Sequence, residues 1–181
     1  MGAVASLIPV LRTQFHIAWS LLQLHLRALT TDDWLWSPAS EAWTWTVRRR
    51  QDDKWVPDWS SEPVEPLPIP TIAWLTWHIG WWWTTTIAYL AGAQVPDRTA
   101  VVWPGSPDAT TAWLGELHRT WSAVLGALSE RDLDAAAPFP WPPGTERTVA
   151  DMAAWVNVEL MKNAAEIGQL RILRAALQTR W

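Results

Sequence analysis

The segment from Thr71 to Ala93 constrains this chain more than any other, because it is apolar on nearly every side and carries no formal charge. It surrounds a single histidine, His78, with five tryptophans: Trp74, Trp77, Trp81, Trp82 and Trp83. A helix that is apolar all round is typical of the centre of a bundle. Because burial of an unpaired polar group is costly, His78 must be hydrogen-bonded, bound to a metal, or exposed in a cavity.

A membrane span is the alternative interpretation of this segment. No charged residue occurs between Pro66 and Pro96, and about 20 apolar residues are enough to cross a bilayer. However, the tryptophans crowd the middle and one half of the segment instead of forming belts at both ends, and no Lys or Arg flanks it closely. Threonines 84–86 also interrupt it. We therefore predict a buried helix of a bundle and no membrane partner.

Length and composition exclude several classes of protein and of functional site. A chain of 181 residues fits one domain, which we expect to span residues 1–181. The absence of cysteine excludes disulfides, thiolate metal sites and a cysteine nucleophile, and we expect a cytoplasmic location. The first sixteen residues also lack the basic region and cleavage site of an export signal. The net charge of -4, with residues 48–50 as the one basic cluster, argues against nucleic acid as a partner.

The first half of the chain predicts two helices with a small insertion between them. Apolar side chains recur three and four positions apart over residues 7–29, which indicates the first helix. The second helix follows Pro70 and ends at Gly92, a residue typical of C-terminal caps. Between them, bulky and small polar side chains alternate from Trp43 and are followed by a polar turn. This pattern predicts a β-hairpin near residues 43–57.

The second half predicts two further helices. The third begins after Ser106, a good N-cap that is followed by proline, and ends near residues 128–130. The fourth begins at Thr148 and Asp151, which resemble a capping box, and runs to about Gln178. The connections are long and rich in proline. We therefore predict a single all-α four-helix bundle with at least one crossover connection.

Polar side chains along the fourth helix allow two interpretations. One side of this helix carries five of them: Glu159, Lys162, Glu166 and Gln169, with Asn163 beside them. The opposite positions, among them Val158 and Leu173, are apolar. In the first interpretation the polar side faces solvent, with Lys162 and Glu166 as a surface ion pair. In the second, part of it points inward toward His78.

The second interpretation predicts a metal site. Helix bundles form such sites from a histidine on one helix and a pair of side chains spaced i, i+4 on another. His78 and Glu166 supply the imidazole nitrogen and carboxylate oxygen that suit zinc, nickel or iron(II). Lys162 is a poor ligand at neutral pH, so Asn163 or Glu159 would have to supply a third donor.

Taken together, these residues resemble the DinB/YfiT-like superfamily of four-helix bundles, and the resemblance covers nearly the whole chain. Members typically carry a helix-two histidine in a Trp-His-Ile context, which matches residues 77–79. They also carry an i, i+4 pair of His or Glu that is followed shortly by Gly-Gln or Gly-His. Gly168 and Gln169 fix that register here, so the two ligand positions fall on Lys162 and Glu166, and Lys162 departs from the pattern.

The resemblance implies a function as well as a fold. Several relatives are metal-dependent enzymes that use mycothiol or bacillithiol as a thiol cofactor. We therefore expect a transferase that depends on a divalent metal and a low-molecular-weight thiol, with the metal lowering the pKa of a bound thiol or water. The thiol would come from outside, because the chain has none.

The alternative is a non-catalytic bundle with a vestigial metal site. Such a bundle would bind an apolar or aromatic small molecule in a tryptophan-lined cavity, or serve as a dimerising module. The chain has eighteen tryptophans, and several lie in connectors, including Trp34, Trp43, Trp59 and Trp103. Aromatic side chains there can cover the end of the core, line a pocket or form a homodimer interface. We expect most of them to cover the core.

Overall fold

A computed structural model describes residues 6–142 and 144–179 and contains four long helices and one short one. The helices are α1 (Ile8–Leu26), α2 (Ile72–Leu90), α3 (Pro107–Ala127), the short α4 (Glu130–Leu133) and α5 (Val149–Gln178). The four long helices match the predicted ones closely. The predicted domain ends, residues 1 and 181, and the first five residues of the N-terminal segment lie outside the described residues.

The helices begin and end where the sequence places capping residues. Ser106 accepts a hydrogen bond from the amide of Ala109 at the start of α3. Thr148 and Asp151 form the predicted capping box, in which the amide of Thr148 donates to the Asp151 carboxylate over 2.9 Å. After α2, Gly92 adopts a φ of 62°, a left-handed conformation that costs glycine little. Local sequence therefore determines most of the helix boundaries.

Helices α1 and α5 lie side by side and run in the same direction. The side-chain amide of Asn157 donates to the backbone carbonyl of Leu11 over 2.9 Å. Further along both helices, the ring of His25 packs closely against Gly168. The other long helices, α2 and α3, complete the bundle and also contact each other.

Helices α2 and α3 are parallel, so the connection between them must return along the bundle. Gly80, in the first half of α2, lies against the ring of Trp113 in the first half of α3. The connection, residues 91–106, runs back along α2, where the indole of Trp77 donates to the carbonyl of Val101 over 2.8 Å. This connection is the crossover that the sequence predicts.

Two small sheets lie between α1 and α2. Strand β2 (Val47–Arg49) pairs antiparallel with β3 (Trp55–Pro57). Strand β1 (Thr44–Trp45) pairs in parallel with β4 (Ile69–Pro70). The hairpin predicted near residues 43–57 is therefore confirmed for β2 and β3. Its first part instead joins β4, because alternation of side chains indicates a strand but does not select its partner.

Connector tryptophans cover one end of the core, as expected. Trp34 and Trp103 are almost completely buried, and the indole of Trp103 donates to the hydroxyl of Thr76 over 3.1 Å. On α5, by contrast, the apolar side is not wholly buried. Val158 and Leu173 are 65% and 40% exposed. Across the described ranges, no helix is long and apolar enough to cross a membrane.

Candidate functional site

A cavity of about 640 Å³ lies between α2, α5 and the insertion that joins α1 to α2. Its walls are mostly apolar and include Trp45, Trp59, Trp74, Leu75, Leu170 and the segment 67–70. Its polar lining comes from two helices: His78 of α2, and Lys162, Asn163, Glu166 and Gln169 of α5. This volume lies in the range of sites that bind small molecules.

The insertion packs its tryptophans against the first turns of α2 to form the aromatic wall. The amide of Thr71 donates to the carbonyl of Trp45 over 2.8 Å, next to the parallel pairing of β1 with β4. Trp45 packs between Trp59 and Trp74, with ring centroids 6.3 and 5.3 Å away. A buried indole needs an acceptor for its N–H, and Trp74 finds one in the carbonyl of Asp58, 2.8 Å away.

A buried asparagine joins the two side chains that the sequence singles out. The Nδ2 atom of Asn163, a residue that is 1% exposed, donates to Oε2 of Glu166 over 2.9 Å. Its Oδ1 atom lies 3.4 Å from Nδ1 of His78. The ring of Trp74 stacks on that imidazole with centroids 5.0 Å apart. His78 and Glu166 therefore share one cavity wall, with Asn163 between them.

These contacts define the protonation of His78. Because the amide nitrogen of Asn163 donates to Glu166, its oxygen faces the imidazole, and Nδ1 must carry the proton. Burial, together with the positive charge of Lys162, lowers the pKa of His78 to about 4, while the hydrogen bond with Asn163 acts in the opposite direction. At neutral pH the ring is therefore uncharged, with Nε2 as its acceptor.

Lys162 pairs with Glu159, and not with Glu166 as the solvent-facing interpretation of α5 had it. The Nζ atom of Lys162 lies 2.7 Å from Oε2 of Glu159. Residues three and four apart are both neighbours on a helix, so spacing alone allowed either partner. Asn163 already donates to the carboxylate of Glu166, which favours the other pairing. Glu159 itself is not among the side chains that line the cavity.

The donor set is incomplete for a resident divalent metal. Within residues 6–142 and 144–179, no three His, Asp or Glu side chains lie close enough together to hold a metal ion. The amide of Asn163 separates His78 from Glu166, and the nearby ammonium of Lys162 repels cations. Catalytic zinc sites use three protein ligands. The residues present therefore fit a metal poorly, and the metal site stays a prediction.

The other three histidines lie away from the cavity. His16 is exposed, and His118 is a half-buried boundary residue whose ring stacks on Trp19 with centroids 4.4 Å apart. His25 reaches the interface between α1 and α5, where it packs against Gly168. None of the three lines the cavity.

The polar end of the cavity offers hydrogen-bond acceptors to a ligand. Neutral His78 has Nε2, and the carboxylate of Glu166 has a second oxygen besides the one that Asn163 contacts. A hydroxyl, amide or ammonium group of a ligand matches these acceptors. The aromatic and aliphatic wall matches an apolar body.

Sequence reasoning missed the bridging role of Asn163 and the tryptophans that the insertion contributes. A signal for the first was present, because Asn163 lies three and four positions from the buried residues Leu160 and Ile167 on the same face. The second depends on the pairing of β1 with β4, which joins segments that are distant in sequence.

The fold and the site define a helix bundle of the DinB type, with a cavity at the contact of its second and last long helices. Comparison with known families agrees, because the model of the DinB superfamily matches residues 14–167. The chain therefore belongs to the DinB superfamily.

One solved structure is similar to this chain over nearly its full length. It is described as the crystal structure of the conserved protein of a locus from Enterococcus faecalis, and the TM-score is 0.65 at 13% sequence identity. The similarity covers 94% of this chain and 98% of that one, and at this identity it shows the fold alone. A comparison with curated proteins finds no match.

Proposed function

We propose that this protein binds a small aromatic molecule that carries a hydrogen-bond donor, in the cavity between α2, α5 and the insertion. The observation that carries the proposal is the division of this cavity into two parts. One part is a wall built from Trp45, Trp59 and Trp74, and the other is an acceptor end formed by His78 and Glu166. Ligand sites commonly combine an apolar wall with a few placed polar groups.

The protonation of His78 and the ion pair of Lys162 support ligand binding over catalysis. A histidine with a pKa of about 4 is a weak general base at neutral pH. The ammonium of Lys162 is engaged by Glu159, and the chain has no cysteine that could act as a nucleophile. The cavity therefore offers recognition without an activated reacting group of its own.

A matched pair of ligands tests the proposal. 1-Naphthol and 1-methoxynaphthalene share one ring system, but only the first has a donor. We expect 1-naphthol to bind, by calorimetry and by quenching of tryptophan fluorescence, roughly tenfold more tightly than the methoxy compound, because a hydrogen bond to a charged acceptor contributes about 1.5–3 kcal/mol. If neither compound binds at millimolar concentration, the proposal is wrong.

Substitutions inside and outside the cavity test where the two ligands bind. Trp59→Ala should weaken both ligands, whereas Trp43→Ala, at a similarly exposed tryptophan outside the cavity, should leave both unchanged. Glu166→Leu should remove most of the preference for 1-naphthol, and Glu116→Leu, at an exposed carboxylate on α3 outside the cavity, is its control. Equal losses in Trp59→Ala and Trp43→Ala would place the binding outside this cavity.

A second candidate is an enzyme, a metal- and thiol-dependent S-transferase. Membership of the DinB superfamily and the convergence of His78 and Glu166 on one wall support it. A bound zinc, nickel or iron ion would lower the pKa of a thiol supplied from outside. In this candidate His78 and Glu166 would hold the ion, and Asn163, Glu159 or Lys162 would have to complete or modulate the site.

Elemental analysis separates the two candidates. The purified protein is supplemented with zinc, nickel and iron(II), and its metal content is compared with that of His78→Ala. Stoichiometric metal that is lost in the variant supports the enzyme, and the absence of metal in both supports the binding protein. A cytoplasmic location and a homodimer are further predictions, which fractionation of the source cell and sedimentation check.

A further inference from the structure

We infer that the ligand of the cavity is an elongated amphiphile, in which an aromatic head with a hydrogen-bond donor is extended by an aliphatic tail of several carbon atoms. The inference rests on the proposed function and goes beyond it, because it adds the tail and assigns it to a separate part of the cavity. This part, called here the apolar rim, consists of residues of the insertion: Trp59, Leu67, Pro68, Ile69 and Pro70.

The cavity follows α2 and α5, which run in opposite directions. Asn163 of α5 meets His78 of α2 at 3.4 Å. Further along α5, Arg174 pairs with Asp33 over 2.6 Å. The carbonyl of the residue after Asp33 accepts a hydrogen bond from the amide of Ala73, at the start of α2. The later turns of α5 therefore lie beside the first turn of α2.

His78 and the apolar rim lie at opposite ends of this cavity. On α5, the lining side chains extend from Lys162 to Leu170, about 12 Å along the helix. On α2, His78 lies about 9 Å beyond the first helical residue, Ile72, whereas the rim ends at Pro70, just before it. A ligand that contacts both His78 and the rim is therefore longer than one aromatic ring.

The apolar rim is far more exposed than the inner wall of the same cavity. On the inner wall, Trp74 and Leu75 are 6% and 1% exposed. On the rim, Trp59, Ile69 and Leu67 are 39%, 46% and 62% exposed. A ligand that filled only the inner part would leave these three side chains in water. An exposed apolar patch that continues a cavity is typical of the outer part of a ligand site.

The chemistry of the apolar rim favours an aliphatic tail over a polar one. No charged residue occurs from Pro66 to Pro96, a stretch that includes the rim segment 67–70. In this segment, Leu67 and Ile69 alternate with prolines, which have no backbone N–H to donate. A polar tail would find few partners there, whereas each methylene group that the rim covers adds to the affinity.

The apolar rim is held in place by the protein itself. Ile69 and Pro70 form β4, which pairs with β1. The ring of Trp59 packs edge-on against Trp81, with centroids 5.4 Å apart. The guanidinium of Arg98 lies 4.5 Å over the ring of Trp59, but Arg98 is not among the residues that line the cavity. A wall that is already ordered reduces the cost of binding a ligand.

The size of the apolar rim fits a small molecule and not a protein. The rim contains five residues, whereas a stable protein interface uses about 20–30 residues on each side. The cavity of about 640 Å³ lies in the middle of the range of sites for drug-sized ligands, roughly 300–1,000 Å³. This volume leaves room for a tail beside an aromatic head.

A series of 4-alkylphenols tests the inference with the full chain. 4-Ethylphenol, 4-butylphenol and 4-hexylphenol share one head and differ only in the length of the tail. We expect the dissociation constant, measured by calorimetry and by quenching of tryptophan fluorescence, to fall roughly threefold for each added methylene group. A tail that stays in water would leave the dissociation constant unchanged along the series.

Substitutions on the apolar rim test where the tail lies. Leu67→Ser and Ile69→Ser should each weaken the binding of 4-hexylphenol at least roughly fivefold more than that of 4-ethylphenol. Leu35→Ser, at a leucine that is 43% exposed and outside the cavity, is the matched control and should affect the three phenols equally. All three positions are exposed, so circular dichroism should show folded variants.

NMR of methyl-labelled protein tests the orientation of the ligand. The terminal methyl group of 4-hexylphenol should show nuclear Overhauser contacts with the methyl groups of Leu67 and Ile69, whose signals are identified by their loss in the serine variants. Contacts of that methyl group with Leu75 of the inner wall instead would mean that the ligand binds with its tail inward, and would overturn the inference.

The outcomes separate the inference from the proposed function. If 1-naphthol and 4-ethylphenol bind but tail length has no effect, or if Leu67→Ser and Leu35→Ser keep the same dependence on tail length, the inference is wrong and the proposed function remains. If no naphthol or phenol binds at millimolar concentration, both are wrong. A change of oligomeric state in Leu67→Ser with unchanged binding of 4-hexylphenol would assign the apolar rim to a second copy of the chain and overturn the inference.

Discussion

The Oδ1 atom of Asn163 lies 3.4 Å from Nδ1 of His78, and this contact ties α5 to α2 at the wall of the cavity. The same side chain donates to Glu166 over 2.9 Å, so one buried amide provides partners for an imidazole and a carboxylate. Removal of one member of such a network leaves the others without their protein partner at the wall of the cavity. Asn163 therefore stabilises the site as well as shaping it.

Substitution of Asn163 by leucine tests this role. Leucine has a similar volume but no polar atom, so His78 and Glu166 each lose a hydrogen-bond partner. We expect Asn163→Leu to lower the free energy of unfolding by about 1–3 kcal/mol, measured by urea denaturation. Gln169→Leu, an exposed position on the same helix, is the control and should change stability by less than about 0.5 kcal/mol. Equal stability of Asn163→Leu and the wild type would show that the network contributes nothing.

Gly80 of α2 lies directly against the ring of Trp113 of α3. A Cβ atom added to this glycine would lie 1.8 Å from the ring of Trp113, so any side chain must displace the indole. We expect Gly80→Ala to destabilise the fold by about 1–3 kcal/mol, the usual range for an overpacked core, measured as a shift in the thermal midpoint.

A second glycine on the neighbouring helix provides the control. The nearest atom to a Cβ added at Gly115 is 3.8 Å away, so Gly115→Ala should be neutral or stabilise α3 by up to about 1 kcal/mol. Trp113→Ala combined with Gly80→Ala should cost less than the sum of the two single changes, because the clash no longer exists. Strict additivity in that cycle would contradict the contact.

The sequence predicts the helices well because their signals are local. Ser106, Thr148 and Asp151 lie next to the helix ends that they cap, and the apolar periodicity of α1 identifies the residues that the structure buries. The convergence of His78 and Glu166 could also be predicted, because two positions on facing helices are enough to define it.

The sequence does not predict features that depend on contacts between distant segments, or on which of two neighbouring side chains takes a given partner. The pairing of Trp45 with Pro70 joins strands on both sides of a hairpin, and no local signal selects it. Lys162 has two allowed partners on its own helix, and the position of Asn163 decides between them. Val158 is apolar and yet exposed, because apolar residues on a long helix do not by themselves show which of its faces the bundle buries.

His118 makes the stability of the protein depend on pH. Burial, with smaller effects from the charges of His16 and Arg119, lowers its pKa to about 4 from an ordinary value of 6.5. Between these values the unfolded chain binds a proton at this position that the folded chain does not bind. Stability therefore falls as the pH decreases from 6.5 to about 4, with a slope of at most about 1.4 kcal/mol per pH unit.

His118→Phe isolates this contribution. Phenylalanine keeps the stacking on Trp19 and on Phe15, whose centroids lie 4.4 and 5.2 Å from the imidazole, but it has no proton to bind. The slope of unfolding free energy against pH between 4 and 6.5 should be smaller in this variant than in the wild type. His16→Gln, at an exposed position, should keep most of the wild-type slope. An unchanged slope in His118→Phe would mean that this ring is protonated as readily in the folded chain as in the unfolded one.

Lys162 lies where a third metal-binding side chain would be needed beside His78 and Glu166. It is four residues before Glu166 and lines the same cavity as His78. Lys162→His removes an ammonium that repels cations and adds an imidazole. The cavity then has two imidazoles, at positions 78 and 162, and the carboxylate of Glu166. We expect this variant to bind zinc at least roughly tenfold more tightly than the wild type, measured by competition with a chromophoric chelator.

Two further variants distinguish an added ligand from a lost charge. Lys162→Ala removes the ammonium without supplying a donor, so any gain in zinc affinity that it shares with Lys162→His comes from electrostatics alone. In Lys162→His combined with His78→Ala, the gain should disappear, because the set again has only two strong donors. A gain that persists in this double variant would mean that the new histidine binds zinc elsewhere and that position 162 does not complete a site with His78.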